Sequence, residues 1–120
     1  MSAIQTYACS RNDSIVSVPA LEFAKEIKSD SVRLVDVRTP QEYAEGHICG
    51  AVNINVQSEG FVPTVEESLS KDSTVFVYCR SGKRSLDAAK ILTKLGYKVI
   101  NLSGGIMEWK EKNLPVVVGD

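Results

Sequence analysis

The alternation of apolar strands with amphipathic helices constrains this chain most. Val32-Arg33-Leu34-Val35-Asp36-Val37, Thr74-Val75-Phe76-Val77-Tyr78 and Lys98-Val99-Ile100-Asn101-Leu102 are nearly continuous apolar runs. Such runs mark strands covered on both faces. Between the last two, Leu86, Ala89, Leu92 and Leu95 trace one helical face, with Ala88 and Ile91 beside them. Gly96 stops that helix, and Lys94 suits its negative end. Ile15 to Val18 reads as a short strand. A helix opened by Pro19 follows, with Ala20, Leu21, Ala24 and Ile27 as its stripe. Thr39-Pro40-Gln41-Glu42 carries a cap, a proline at the first helical position and a capping-box acid, and Gly46 ends that short helix. Ala51 to Ile54 reads as a third strand. Val62, Val65 and Leu69 indicate a short helix, and Gly104-Gly105 turns the chain into a last one running through Trp109. Repeated βα units predict an α/β fold, a central five-stranded, mainly parallel sheet with helices on both faces. Ligands of such sheets bind beyond the carboxyl ends of the strands, and Cys79 falls at such an end.

The 120 residues are enough for one domain, and 43% hydrophobic content supplies a core without staples. Fourteen basic residues stand against 15 acidic ones, for a net charge of −1. That balance argues against nucleic-acid binding and gives no polybasic membrane anchor. Three cysteines do not make a disulfide framework. His47 is the sole histidine, so a Cys₂His₂ zinc site is excluded and a Cys₃His site would consume every cysteine. Met1 to Ser14 is polar and mixed, and is expected to be a flexible segment ahead of a domain spanning 15–118. It has no leader-like apolar run, and Cys9 lacks the setting of a lipid-attachment site. A cytoplasmic location is expected, although a leader removed earlier would leave the same sequence. No segment approaches the roughly 20 apolar residues needed to cross a bilayer, and no internal repeat is visible.

The chemistry concentrates in Cys79-Arg80-Ser81-Gly82-Lys83-Arg84-Ser85, where three of seven residues are cations in an acidic chain. The following helix aims free N–H groups at this loop, and a helix N-terminus favours anions. Gly82 lets the backbone bend so that successive N–H groups converge. Arg80, Lys83 and Arg84 add positive charge. Each effect favours thiolate over thiol, so the Cys79 pKa is expected to fall. A thiolate in an anion cradle is a nucleophile for an anionic substrate. The phosphate-loop alternative fails, because that motif needs glycine five positions before Gly82 and Val77 stands there.

The segment Cys79 to Ser85 resembles the active loop of rhodanese-type sulfurtransferases. Leu34-Val35-Asp36-Val37-Arg38-Thr39-Pro40-Gln41-Glu42-Tyr43 and Tyr43-Ala44-Glu45-Gly46-His47-Ile48-Cys49-Gly50-Ala51-Val52-Asn53-Ile54 are similar to two further signatures of that family. Leu102-Ser103-Gly104-Gly105-Ile106-Met107-Glu108-Trp109 resembles its closing one. The resemblance implies a single-domain rhodanese. In its mechanism Cys79 takes the outer sulfur of thiosulfate, releases sulfite and carries a persulfide to a thiophilic acceptor (cyanide, a thiol or a protein thiol). Arg80, Ser81, Gly82, Lys83 and Arg84 would bind the donor, with Ser85 and Gly104 shaping the site. Neither metal nor organic cofactor is implied. Asp36 and Arg38, at a strand end, are expected to form a structural ion pair, since buried charges normally pair. His47 is expected in a structural turn and Trp109 in the core or a pocket wall.

Loop length bears on specificity. Related cell-cycle phosphatases place five residues between Cys and Arg, whereas four separate Cys79 from Arg84. The shorter loop suits a sulfur atom better than a phosphoryl group. Arg80 and Lys83 favour thiosulfate, because relatives that prefer mercaptopyruvate carry a small uncharged residue after the cysteine. Two positions depart from the family. Cys49 stands where proline is common and is expected to be a small core residue, or, if near Cys79, a resolving thiol. Glu42 stands where tandem-domain relatives place a substrate-binding arginine just before Tyr43, so thiosulfate binding rests on the loop alone. The competing functions are a small phosphatase or arsenate reductase, and a non-catalytic partner-binding module; inactive modules usually lose the cysteine that this chain keeps.

Overall fold

A computed structural model describes residues 15–119. Residues 1–14, including Cys9, lie outside that range. Ten elements alternate as β1 (Ile15–Val18), α1 (Ala20–Glu26), β2 (Val32–Asp36), α2 (Pro40–Glu45), β3 (Val52–Asn53), α3 (Phe61–Ser68), β4 (Thr74–Tyr78), α4 (Lys83–Lys94), β5 (Lys98–Leu102) and α5 (Gly105–Glu111). The sheet order is β1-β5-β4-β2-β3. Every strand pair is parallel, with Val35 opposite Val77 and Phe76 opposite Ile100 at the centre. The expected five-stranded parallel α/β architecture is the observed one.

Strand alternation divides the core in two. Val35, Val37, Val75, Val77 and Cys79 face one side, packed with Phe61 and Val65 of α3 and Ala88, Ala89 and Leu92 of α4. Leu34, Phe76 and Tyr78 face the other, with Phe23 of α1 and Ile106 and Trp109 of α5. Phe23 meets Phe76 and Trp109 edge-on, at centroid distances of 5.3 and 6.4 Å. Trp109 is a core residue, and its indole N–H donates to the Pro115 carbonyl at 2.8 Å.

The structure departs from the sequence reading at two element boundaries of note and at Cys49. Pro19 is the N-cap of α1 rather than its first residue. The third strand shrinks from four residues to two, because Ala51 turns back to the Ile48 carbonyl. Cys49 is exposed, not core. It sits in the turn between His47 and Val52, where the chain bends around Gly50 at φ +90°, and this turn directs the side chain outward.

Candidate active site

The site is built where β4 runs into α4. Strand β4 is buried at its last four residues, and Cys79 continues it at 1% exposure. The thiol therefore projects from the carboxyl edge of the central strand toward α4. The chain then turns sharply, with Gly82 in the left-handed region at φ +109°. A Cβ there would collide with the Ser103 carbonyl oxygen, so glycine is required twice over. The turn brings the Gly82 N–H onto Cys79 Sγ at 3.1 Å. Ser85 Oγ lies 3.4 Å from the sulfur and donates to the Gly82 carbonyl at 3.1 Å. In the thiol form the S–H donates to this hydroxyl; once that proton leaves, the hydroxyl can turn its own proton to sulfur.

Burial pushes the Cys79 thiol up. Hydrogen bonds from the Ser85 hydroxyl and from the backbone N–H groups of Ser85, Gly82 and Ser81 outweigh it, and the net pKa is lowered. The expected fall is therefore present, and of its expected causes the converging backbone N–H groups act on the sulfur, joined by the Ser85 hydroxyl. Fixed neutral donors produce it, while Arg80 and Lys83 are exposed to solvent. Charges in water are screened, whereas buried dipoles are not.

Arg84 does not reach into the cradle as a free cation. Its two terminal nitrogens donate to Glu42 Oε1 and Oε2 at 2.8 and 2.9 Å. Glu42 also completes the α2 capping box, accepting from the Thr39 backbone N–H and hydroxyl at 3.1 Å each. The Arg84 guanidinium, helped by Thr39, holds the Glu42 carboxyl down at about 2 against a partial opposing effect of burial.

Asp36 and Arg38 pair at the end of β2, both buried. Arg38 Nε donates to Asp36 Oδ1 at 2.9 Å, and its terminal nitrogen donates to Oδ2 at 2.6 Å and to the Gly46 carbonyl at 2.7 Å. The guanidinium stacks over Tyr78, 5.6 Å from the ring centre. Asn53 clasps the same turn through the Asp36 and Arg38 carbonyls, at 3.0 and 2.9 Å. His47 is buried, stacked on Tyr43 at 3.7 Å, with Nδ1 2.8 Å from the Tyr43 carbonyl. These contacts hold the turn; they do not bring His47 to the thiol.

Helix α5 closes the loop from behind. Ile106 N–H donates to the Cys79 carbonyl at 2.9 Å and Met107 N–H to the Arg80 carbonyl at 3.1 Å. Gly105, at φ +66°, lies so close that a Cβ would strike the Arg80 carbonyl. The sequence reading selected Gly104 and missed Gly105; the doubled glycine opening a helix was the available signal. Beside the loop, Arg38, Glu42, Arg80, Met107 and Lys110 help line a cavity of about 190 Å³. Among the described residues, no three His, Cys, Asp or Glu side chains converge as a metal donor set, and no helix is long and apolar enough to cross a membrane.

The fold and site together are those of a parallel α/β domain with one buried thiol, among the described residues, in a backbone cradle at the sheet's carboxyl edge. Residues 19–112 match the family model of the rhodanese-like domain. A sulfurtransferase of Allochromatium vinosum is 41% identical over 90 residues, covering 74% of this chain and 81% of the relative. Thiosulfate sulfurtransferase 16 of Arabidopsis thaliana is 33% identical over 116 residues, covering 88% and 94%. The crystal structure of a rhodanese-related protein from Thermoplasma volcanium superposes with a TM-score of 0.72 at 31% identity, covering 86% of this chain and 98% of that one. The chain belongs to the rhodanese family of sulfurtransferases, as a single rhodanese-like domain.

Proposed function

We propose that the protein transfers a sulfane sulfur from thiosulfate or a similar small anionic donor to a thiol or protein thiol, through a persulfide on Cys79. The reading is carried by the placement of Cys79 Sγ within 3.1 Å of the Gly82 N–H at the bottom of a six-residue loop. The thiolate attacks the outer sulfur of the donor, the S–S bond to the sulfite group breaks, and its electron pair leaves with sulfite. The backbone donors that favour the thiolate also favour the persulfide anion that replaces it. An acceptor thiolate then attacks the outer sulfur of the persulfide and returns Cys79 as thiolate. Ser81 and Gly82 supply N–H groups, Arg80 and Lys83 attract the anionic donor, Ser85 sets the ionisation of Cys79, and Asp36, Arg38 and Gly104 support the surrounding turns. A reducing compartment such as the cytoplasm suits this chemistry, because the carrier thiol must be free.

The phosphatase alternative is disfavoured by the same loop. It is short, and the arginine closing it is engaged by Glu42. Cys79→Ser is expected to lower thiosulfate:cyanide turnover by more than about a thousandfold, whereas Cys9→Ser and Cys49→Ser keep most of it. Retained turnover in Cys79→Ser contradicts the proposal. Turnover of a generic aryl phosphate by the intact protein, without sulfur transfer, favours the phosphatase.

A further inference from the structure

The loop carries three cations, yet its interior presents almost no net positive charge. Arg80, at the rim of the cavity beside the loop, and Lys83 are exposed to solvent, where screening weakens them. Arg84 is the half-buried one, its side chain 24% exposed, and both its bonding nitrogens are spent on the Glu42 carboxylate. Arg38, a further cation near the sheet edge, is matched by Asp36, and Lys110, which also lines the neighbouring cavity, is exposed like Arg80 and Lys83. With both ion pairs neutral, one buried and one half-buried, the formal charge left at the cradle is that of the Cys79 thiolate itself. Any incoming anion meets that charge with only backbone dipoles and screened surface cations to offset it.

We propose that Glu42 is a specificity-determining residue: by neutralising Arg84 it sets the site for singly charged sulfane-sulfur donors, such as organic thiosulfonates and persulfides, over doubly charged thiosulfate. This rests on the sulfurtransfer reading of Cys79 and names the donor class within it. The pair is rigidly held, because Glu42 is also fixed by Thr39 at the head of α2 and Arg84 stands in the first turn of α4. Arg84 is accordingly a positioning residue that ties α2 to the loop, and not a ligand of the donor. The Glu42 carboxyl, held at about 2, stays charged throughout the working pH range.

Methanethiosulfonate and thiosulfate isolate the charge. The Cys79 thiolate attacks the terminal sulfur of either donor, the bond to the oxidised sulfur breaks, and the electron pair leaves as methanesulfinate or sulfite. The product on the enzyme is the same persulfide anion, and no further reagent is needed. The donors differ in one methyl for one charged oxygen.

The experiment measures kcat/KM for both donors in the wild type and in Glu42→Gln, Arg84→Gln and the double variant, with cyanide as acceptor. The ratio between donors cancels any general loss of folded protein, and its change from wild type to variant cancels their intrinsic reactivities. In Glu42→Gln the freed guanidinium should raise the thiosulfate-to-methanethiosulfonate ratio about three- to tenfold, as expected for one partly exposed charge near a site. In the double variant two amides replace two opposite charges, and the ratio should return to within about twofold of the wild type. A double variant that loses thiosulfate selectively, as far as Arg84→Gln does, makes Arg84 a donor ligand and overturns the inference. So does a Glu42→Gln ratio equal to that of the wild type. If Glu42→Gln fails to fold, the double variant still decides. Sulfur loading of wild-type Cys79 by each donor, read by intact mass, separates the two levels: no loading by either donor overturns the sulfurtransfer reading itself, whereas loading with an unchanged ratio overturns only the role of Glu42.

Discussion

At the scale of single residues, the chemistry of Cys79 depends on where hydrogens point. The sulfur is buried, which by itself favours the neutral thiol, yet the net pKa falls below the usual 9.0. The Ser85 hydroxyl is the one side-chain donor among those that lower it. Ser85→Ala is therefore expected to move the Cys79 pKa upward, and the acid limb of both turnover and thiol alkylation should shift to higher pH. The sign follows from ionisation: a group with a depressed pKa is charged, and stabilised, above that pKa, and the benefit is lost as pH falls through it. A pH–rate profile of iodoacetamide alkylation checks this, and an unshifted limb would assign the depression to the backbone alone. The cysteine, glycine and cations of the loop were legible as residue types. Which of them acts on the sulfur was not, because a string of residues does not tell an exposed arginine from one clasped by a carboxylate 42 positions earlier.

At the scale of elements, the cradle is a contact between three segments. The β4–α4 turn supplies the thiol and the N–H groups, the β5–α5 turn supports it from behind, and α2 holds Arg84. Gly105 marks the tightest approach, with a positive φ and the Arg80 backbone where a side chain would begin. Gly105→Ala is expected to cost at least about 1–3 kcal/mol of stability. It should lower turnover beyond what unfolding explains, because the displaced atoms belong to the loop that holds Cys79. Urea denaturation together with activity per folded molecule tests both parts. Long periodic elements such as β4 and α4 were readable in the sequence, since their apolar spacing is set by the sheet and by one helical face. The two-residue β3 and the exposed turn at Cys49 were not, because their conformation is decided by neighbours: Ile48 and Gly50 locally, and Asp36 and Arg38 across the sheet.

At the scale of the whole molecule, a five-stranded parallel sheet covered on both faces gathers the turns after β2, β4 and β5 at its carboxyl edge. Buried charge is the cost of that arrangement, and the Asp36–Arg38 pair meets it by satisfying Asn53, Gly46 and Tyr78 around a single turn. Arg38→Met leaves a buried carboxylate unmatched and is expected to destabilise the domain by about 3–5 kcal/mol; a drop under about 1 kcal/mol in chemical denaturation would show the pair to be dispensable. The order of signatures along the chain made the fold and the position of Cys79 legible, because strand order and crossover rules leave few alternatives once five βα units are counted. The pairing of Glu42 with Arg84 became visible only when α2 and α4 were brought together.

The central claim is that Cys79 carries the transferred sulfur, and intact-mass analysis after a brief exposure to thiosulfate or methanethiosulfonate tests it most directly. A gain of about 32 Da, one sulfur atom, is expected. Peptide mapping should locate it on Cys79, and it should disappear on addition of cyanide. Cys79→Ser should gain nothing under the same conditions. A protein whose Cys79 stays unmodified by both donors, or which loads sulfur on another cysteine with Cys79 replaced, contradicts the account.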